Sequence, residues 1–434
     1  VSLRLKLFGF STILFLCCFN PVYALSLSEA VDIAVSQNKS LINAKNEVKI
    51  AEEHVVQARS KLFPKIDLSY TSVKLNEAPY MELPASFGGG EMPTGLEKSQ
   101  STKLSLVQPI YAGGKIVNGM DMADVSLSIA REKYNKLKAD VVFDVKKIFL
   151  TILLAKKEVA IAEEGIKIAN EHLQVAKNKY DAGAVTNFDM LKAESQIEIL
   201  KPQLISSKSK LDTALLQLNK CLELPIANKT EVTGELTFNE YNEKIEEAIQ
   251  RAFAQNYDLK IIQLQLHLAE TALKNSFSGY LPNVSLLGNK SHFNEYSPNA
   301  EHNERWKDNW SIVGVASLNL FDGLDRESKV AESRSMIEQL QRVESQIKDD
   351  IELQVRQSFM RLQETVALKE SAMINLDLAE RSLKMANDQY RAGQLTSLDV
   401  LNTQLVVNQA KTSLANTYFN HEMIIATIQK MTGK

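Results

Sequence analysis

The chain is 434 residues long, with 44% hydrophobic and 24% charged residues and a formal charge of −3. That length is ample for a large core and by itself predicts two or three domains. The charge offers no basic surface of the kind nucleic acid requires, so nucleic acid is excluded as a partner.

Residues 1–24 read as a secretory signal: Arg4 and Lys6, an apolar run from Leu7 to Phe19, Pro21, and a small-residue site at Val22-Tyr23-Ala24. The run is shorter than the ~20 residues a bilayer helix needs. Cys17 and Cys18 lie inside it, and Leu16 is too bulky for a lipoprotein cleavage site. The mature chain then keeps Cys221 alone, which permits no intrachain disulfide. Loss of Arg4 and Lys6 takes the formal charge from −3 to −5. No later stretch approaches a transmembrane helix. An exported chain of this kind is either soluble outside the cytoplasm or inserted as strands, whose alternation gives a weak hydropathy signal.

A helical opening ends at Pro64, and two segments of period two follow, Ile66 to Tyr70 and Leu104 to Gln108, the second running into Pro109. Between them Gly88-Gly89-Gly90 marks an exposed loop. From Lys115 to Asp181 there is no proline, and the glycines are Gly119 and Gly165. A helix of that length would span on the order of 100 Å. It ends in Tyr180-Asp-Ala-Gly-Ala-Val-Thr-Asn-Phe-Asp-Met-Leu191, which has the grammar of a helical hairpin. Gly183 is suited to the left-handed residue that ends a helix, Thr186 to the cap of the next, and Asp189 to the third position of a capping box. A return helix runs from about Asn187 to Leu222, with Pro202 predicting a bend. Residues 223–244, with Pro225 and Gly234, read as a linker.

The chain then repeats itself. Ala30, Ala34, Gln37, Asn38, Leu41 and Pro64 match Ala248, Ala252, Gln255, Asn256, Leu259 and Pro282 at an offset of 218. The turn returns as Tyr390-Arg-Ala-Gly-Gln-Leu-Thr-Ser-Leu-Asp-Val-Leu401, 210 positions on, so that Gly393, Thr396 and Asp399 repeat Gly183, Thr186 and Asp189. The eight residues of difference fall between Pro64 and Pro109. Pro109-Ile-Tyr111-Ala-Gly113 lines up with Asn319-Leu-Phe321-Asp-Gly323. Two further period-two segments, Val284 to Leu286 and Ile312 to Leu320, occupy the matching places, with Trp306 and Trp310 introducing the last. With flanks, each segment is about the 9 to 11 residues of a tilted barrel strand; alternation alone suits a soluble hairpin as well. Neither Pro nor Gly interrupts Leu324 to Ala392, where Ile337, Leu340, Val343, Ile347, Ile351, Val355, Phe359, Leu362 and Val366 form a packing stripe. A second return helix runs from about Ser397 to Met431. The repeats are residues 25–222 and 245–434.

Nothing in the sequence points to catalysis. No phosphate-cradling glycine loop followed by lysine occurs, and no Gly-x-Ser-x-Gly is present. Of the histidines, His292 and His302 alone approach metal-ligand spacing, and they fall in an expected exposed loop; no metal or cofactor is expected.

The order of segments, the Gln108-Pro-Ile-Tyr-Ala-Gly113 strand-to-helix corner and both Tyr-x-Ala-Gly-x-x-Thr-x-x-Asp turns resemble the TolC-type outer-membrane efflux channel family over essentially the whole mature chain. The resemblance implies a mainly α chain that gives four strands to a 12-stranded barrel of a homotrimer in outer-membrane lipid, with a long α-helical barrel in the periplasm. It implies a passive exit duct for efflux or type I secretion. Its partners would be a periplasmic adaptor and an inner-membrane transporter, proton-driven (RND) or ATP-driven (ABC). The turns would lie at the periplasmic tip, with Asp399 matching a carboxylate of the constriction ring. Tyr390 and Asp189 would match the contacts that hold the tip closed. Leu395 stands where that pattern has a locking arginine, and Asn402 where it has a second ring aspartate. A less negative constriction without an arginine lock follows. The residues themselves leave two readings of Asp189 and Asp399, helix cap and gate, and two of Tyr180 and Tyr390, packing and latch. A soluble periplasmic coiled-coil adaptor or structural protein accounts for the helices but not for four strands at matching places.

Overall fold

The structure is a computed structural model that describes residues 24–433; the signal sequence lies outside the described residues except for Ala24. In chain order the elements are β1 (Ala24–Leu25), α1 (Leu27–Gln37), α2 (Lys39–Ser60), β2 (Lys65–Lys74), β3 (Tyr80–Leu83), β4 (Gly90–Pro93), β5 (Lys98–Ala112), α3 (Lys115–Asp181), α4 (Asn187–Cys221) and β6 (Glu231–Val232). They continue with α5 (Ile245–Gln255), α6 (Tyr257–Phe277), β7 (Asn283–Tyr296), β8 (Glu304–Ser317), α7 (Asp325–Arg391) and α8 (Ser397–Thr432). The chain is mainly α, as the sequence predicts, and α3 and α7 each run unbroken for 67 residues.

The opening helix of each repeat is broken at one residue. Asn38 and Asn256 both take an extended conformation (ψ 120° and 125°), and each donates its N–H back to a buried alanine carbonyl, Ala34 and Ala252. At Asn256 the side chain then caps α6, accepting from the amides of Asp258 and Leu259 at 2.9 and 3.2 Å.

Two compact units form, each drawing on both repeats. One comprises residues up to Asn38, Val141–Tyr241 and Met360–Thr427; the other comprises Lys39–Asp140, Asn242–Phe359 and Ile428 onward. In the first, β1 pairs in parallel with β6, tying the start of the described chain to the expected linker. The sequence reading missed both, because two residues carry no periodicity. Its helices bury Val145, Phe149, Ile152, Leu218 and Ile425. The packing stripe of α7 holds through Leu362 and then shifts: Val366 is 51% exposed, and Thr365 is buried in its place, sharing a hydrogen bond with His421 Nδ1 at 3.0 Å.

In the second unit β2, β5, β7 and β8 form one antiparallel sheet in that order. Cross-strand partners share a face, and the pleat therefore sorts the side chains. On one face lie Ile66, Leu68, Tyr70, Leu104, Leu106, Leu286, Trp310 and Ile312, with Lys290, His292 and Asp308 among them; on the other lie Lys65, Asp67, Ser69, Lys103, Ser105, Asn289, Ser291, Asn309 and Ser311, with Val107, Leu287 and Val313 among them. Both outer strands leave one edge without a ladder partner among the described residues. The strands are longer than their period-two cores, and Trp306 and Trp310 lie within β8 rather than ahead of it. His292 likewise sits in β7, not in a loop. At the far end β8 stops at Ser317, short of the expected Leu320, because the carbonyls of Asn319 and Leu320 accept from the Arg326 guanidinium at 2.9 and 3.2 Å instead. The long loop after β2 holds a further hairpin, β3 with β4, around Gly88 and Gly89. No described helix is long and apolar enough to cross a membrane, a fact with no bearing on strands.

The strand-to-helix corners are built alike and filled differently. Pro109 and Tyr111 flank a register shift in β5, which turns the strand toward Gly113 and Gly114, both left-handed (φ 60° and 86°). A Cβ on Gly113 would stand 2.6 Å from the Ser278 carbonyl oxygen, so only glycine fits. In the second repeat Phe321 is exposed, Gly323 has open space around it, and the second left-handed position is Leu324 (φ 73°). A left-handed leucine costs about 1–2 kcal/mol. Leu324→Gly is therefore expected to raise the thermal midpoint, whereas Gly113→Ala should lower it by more than Gly323→Ala does. Circular dichroism melts of the three variants decide this, and equal losses at the two glycines would show that the Ser278 contact is absorbed.

Candidate functional site

Both Tyr-x-Ala-Gly turns close their helices through the same local bonds. At the first, Ala184 N–H donates to the Lys179 carbonyl and Gly183 N–H to the Tyr180 carbonyl, each at 2.8 Å. At the second, Gln394 donates to Gln389 at 2.9 Å and Gly393 to Tyr390 at 3.1 Å. This pair of bonds needs a left-handed residue, which Gly183 (φ 71°) and Gly393 (φ 79°) supply. The turns then restart a helix through capping boxes. Asp189 N–H donates to Thr186 Oγ1 at 3.3 Å, while Thr186 N–H and Oγ1–H donate to Asp189 Oδ2 at 3.2 and 2.8 Å. Asp399 and Thr396 repeat this at 3.4, 2.9 and 2.6 Å. The Thr396 hydroxyl, and after it the Thr396 amide, hold the Asp399 carboxyl below its ordinary value.

The two copies differ around this shared frame. Tyr390 is 3% exposed and Tyr180 is 42% exposed. Tyr390 packs with Leu383, Ala386 and Val400, and Leu395, which stands where the resembled pattern has a locking arginine, lies against the same cluster as apolar filling. The Tyr390 hydroxyl is buried without a hydrogen-bond partner, and Asp189 spends its carboxylate on its own cap. Burial, and after it the nearby Asp189 charge, raise the Tyr390 phenol. Asn402 is exposed on α8.

Contacts that sequence reasoning missed join the two hairpins. Lys179 from α3 donates to the Tyr390 carbonyl and stands 4.3 Å from the centroid of its ring. His172, also from α3, lies 4.7 Å from that ring and pairs through Nε2 with Ser397 Oγ of α8 at 2.9 Å. His172 and Lys179 are seven residues apart and so share a helical face, a signal indistinguishable from ordinary patterning until the partner is known.

Elsewhere His292 Nδ1 meets Asp308 at 3.0 Å and stacks on Trp306, and no group of three or more His, Cys, Asp or Glu among the described residues is placed to hold a metal ion.

Comparison with known proteins identifies the arrangement. The family model for outer membrane efflux proteins matches residues 30–222 and again 248–434. Among curated relatives, the outer membrane efflux protein BepC of Brucella suis is 18% identical over 93% of this chain and 83% of its own. The alkaline protease secretion protein AprF of Pseudomonas aeruginosa is 20% identical over 95% of this chain and 85% of its own. Among solved structures, the Campylobacter jejuni CmeC outer membrane channel superposes with a TM-score of 0.79 at 17% identity, covering 94% of this chain and 85% of that one.

The caps make a measurable statement. Thr396→Ala should cost about 1 kcal/mol at the start of α8, seen as roughly fivefold faster amide exchange in peptides that contain Asp399. Because the folded Asp399 carboxyl is lowered from 3.8, this cap contributes fully above that value and is lost as pH falls through the lower folded one. Exchange corrected for intrinsic rates should show that acid loss in the wild type and not in Thr396→Ala.

Proposed function

The chain belongs to the outer membrane efflux protein family, and on that premise we propose how it serves as an outer-membrane exit channel reaching into the periplasm. Three copies join edge to edge, β8 of each beside β2 of the next, and their sheets complete a 12-stranded barrel. The helices continue as a periplasmic tunnel, and the tip turns form its mouth. Residues 1–24 are removed on export, residues 25–222 and 245–434 act as paired repeats, and 223–244 joins them. A periplasmic adaptor docks at the mouth and couples the duct to a proton-driven or ATP-driven transporter of the inner membrane. Transport is passive at this chain, which makes and breaks no bond.

The observation that carries this reading is the sheet. One face carries Ile66, Leu68, Leu104, Leu106, Trp310 and Ile312, interrupted by Lys290, His292 and Asp308, and the other is mostly Lys, Asp, Ser and Asn with Val107, Leu287 and Val313 among them, a difference in polarity of the kind a wall between lipid and water has. Its open edges would strand amides and carbonyls in hydrocarbon unless further strands closed them. A soluble coiled-coil spacer has no use for such a wall.

The test is direct. Detergent-extracted protein should be trimeric by light scattering, resist carbonate extraction from membranes, and form channels in planar bilayers. A monomer without channel activity would remove the reading. At the mouth, Asp399→Ala should alter conductance and weaken cation preference, because three carboxylates face one constriction. If both stay at the wild-type level, Asp399 serves its helix cap alone.

A further inference from the structure

In each turn the caps stabilise a hairpin internally, yet none of those bonds reaches the other hairpin. Nearest the turns the bonds that do are the His172–Ser397 hydrogen bond at 2.9 Å and the Lys179 ammonium on the carbonyl and ring of Tyr390; farther along the helices Lys411 of α8 meets Glu164 of α3 at 2.8 Å. Building on the channel reading above, we propose that His172 and Lys179 are the positioning residues that hold the two tip hairpins of a protomer together, and that protonation of His172 releases them.

The geometry favours the neutral imidazole. His172 is buried, Nε2 is engaged by Ser397, and Nδ1 has no hydrogen-bond partner. In the tautomer whose Nε2–H donates to Ser397 Oγ, a second ring proton at Nδ1 would create a buried cationic N–H with nothing to accept it, a far costlier orphan than a bare lone pair. The charged groups facing the ring do not offset this. From α3 comes Lys179, a like charge; α4 contributes Asp189, which acts on Tyr390 and is bound by Thr186; α7 presents the neutral Tyr390; and α8 presents Ser397, with Asp399 held by Thr396. Burial first, and Lys179 second, lower the His172 pKa from 6.5. The sign follows: a closed state with a lowered histidine is fully stabilised above 6.5 and loses that stabilisation as pH falls below it, because the open state takes up the proton more readily. Leu395 and Val175 pack beside the pair and supply no competing charge.

Single-channel recording of the full-length trimer in planar bilayers tests this from about pH 7.5 to about pH 5. The wild type should pass several-fold more current at the acid end, reversibly. His172→Gln keeps a neutral hydrogen-bonding group and should stay at the low conductance throughout, with its pH response gone. Lys179→Met should raise conductance already at neutral pH. A wild type with a flat response overturns the proposal, as does a His172→Gln variant that still opens in acid or a Lys179→Met variant that conducts like the wild type at neutral pH. Wild-type protein that forms no channels would sink the channel reading and this latch together; channels with a flat response sink the latch alone.

Discussion

A backbone amide cannot be left unpaired in hydrocarbon, and the architecture of this chain answers to that demand. Helices satisfy their amides within themselves, but a sheet of four strands leaves two edges open. In the proposed assembly the chain resolves this as one part of a closed ring. The alternation that sorts Ile66, Leu68, Trp310 and Ile312 from Asp67, Ser69, Asn309 and Ser311 is what such an assembly would put to use.

The same demand appears at the turns, where two helices end and restart in water. Gly183 and Gly393 let the last carbonyls find donors, and the Thr–Asp boxes let the first amides find acceptors. Because every bond of the frame is local, the frame can be duplicated without fixing how the two copies meet. That freedom lets Tyr180 face solvent while Tyr390 enters a core.

Much of this was legible in the sequence, for identifiable reasons. The 67-residue helices show in the absence of proline over their length, and both turns in the left-handed glycine and the capping pair. Features that depend on distant partners were not legible. The β1–β6 pair is two residues long and joins Leu25 to Val232, and the β3–β4 hairpin sits in a loop recognised only by its glycines. Leu324 in a left-handed conformation contradicts its own propensity and is imposed by the corner. The shift of the α7 stripe from Val366 to Thr365 follows from His421, a residue 56 positions away. His172 meets Ser397 across 225 positions, and no local pattern announces such a pair.

The pairing of β5 with β7 has a consequence for the order in which the molecule comes into being. β2 can find β5 within the first repeat, and each helical hairpin closes through neighbours, but Leu104 opposite Lys290 must wait for the second repeat to emerge. Local elements therefore have time to form while the central ladder of the sheet does not exist. The face that carries Leu68, Leu104, Trp310 and Ile312 therefore becomes one surface only when both repeats are present, so its largest apolar area is the last to be assembled.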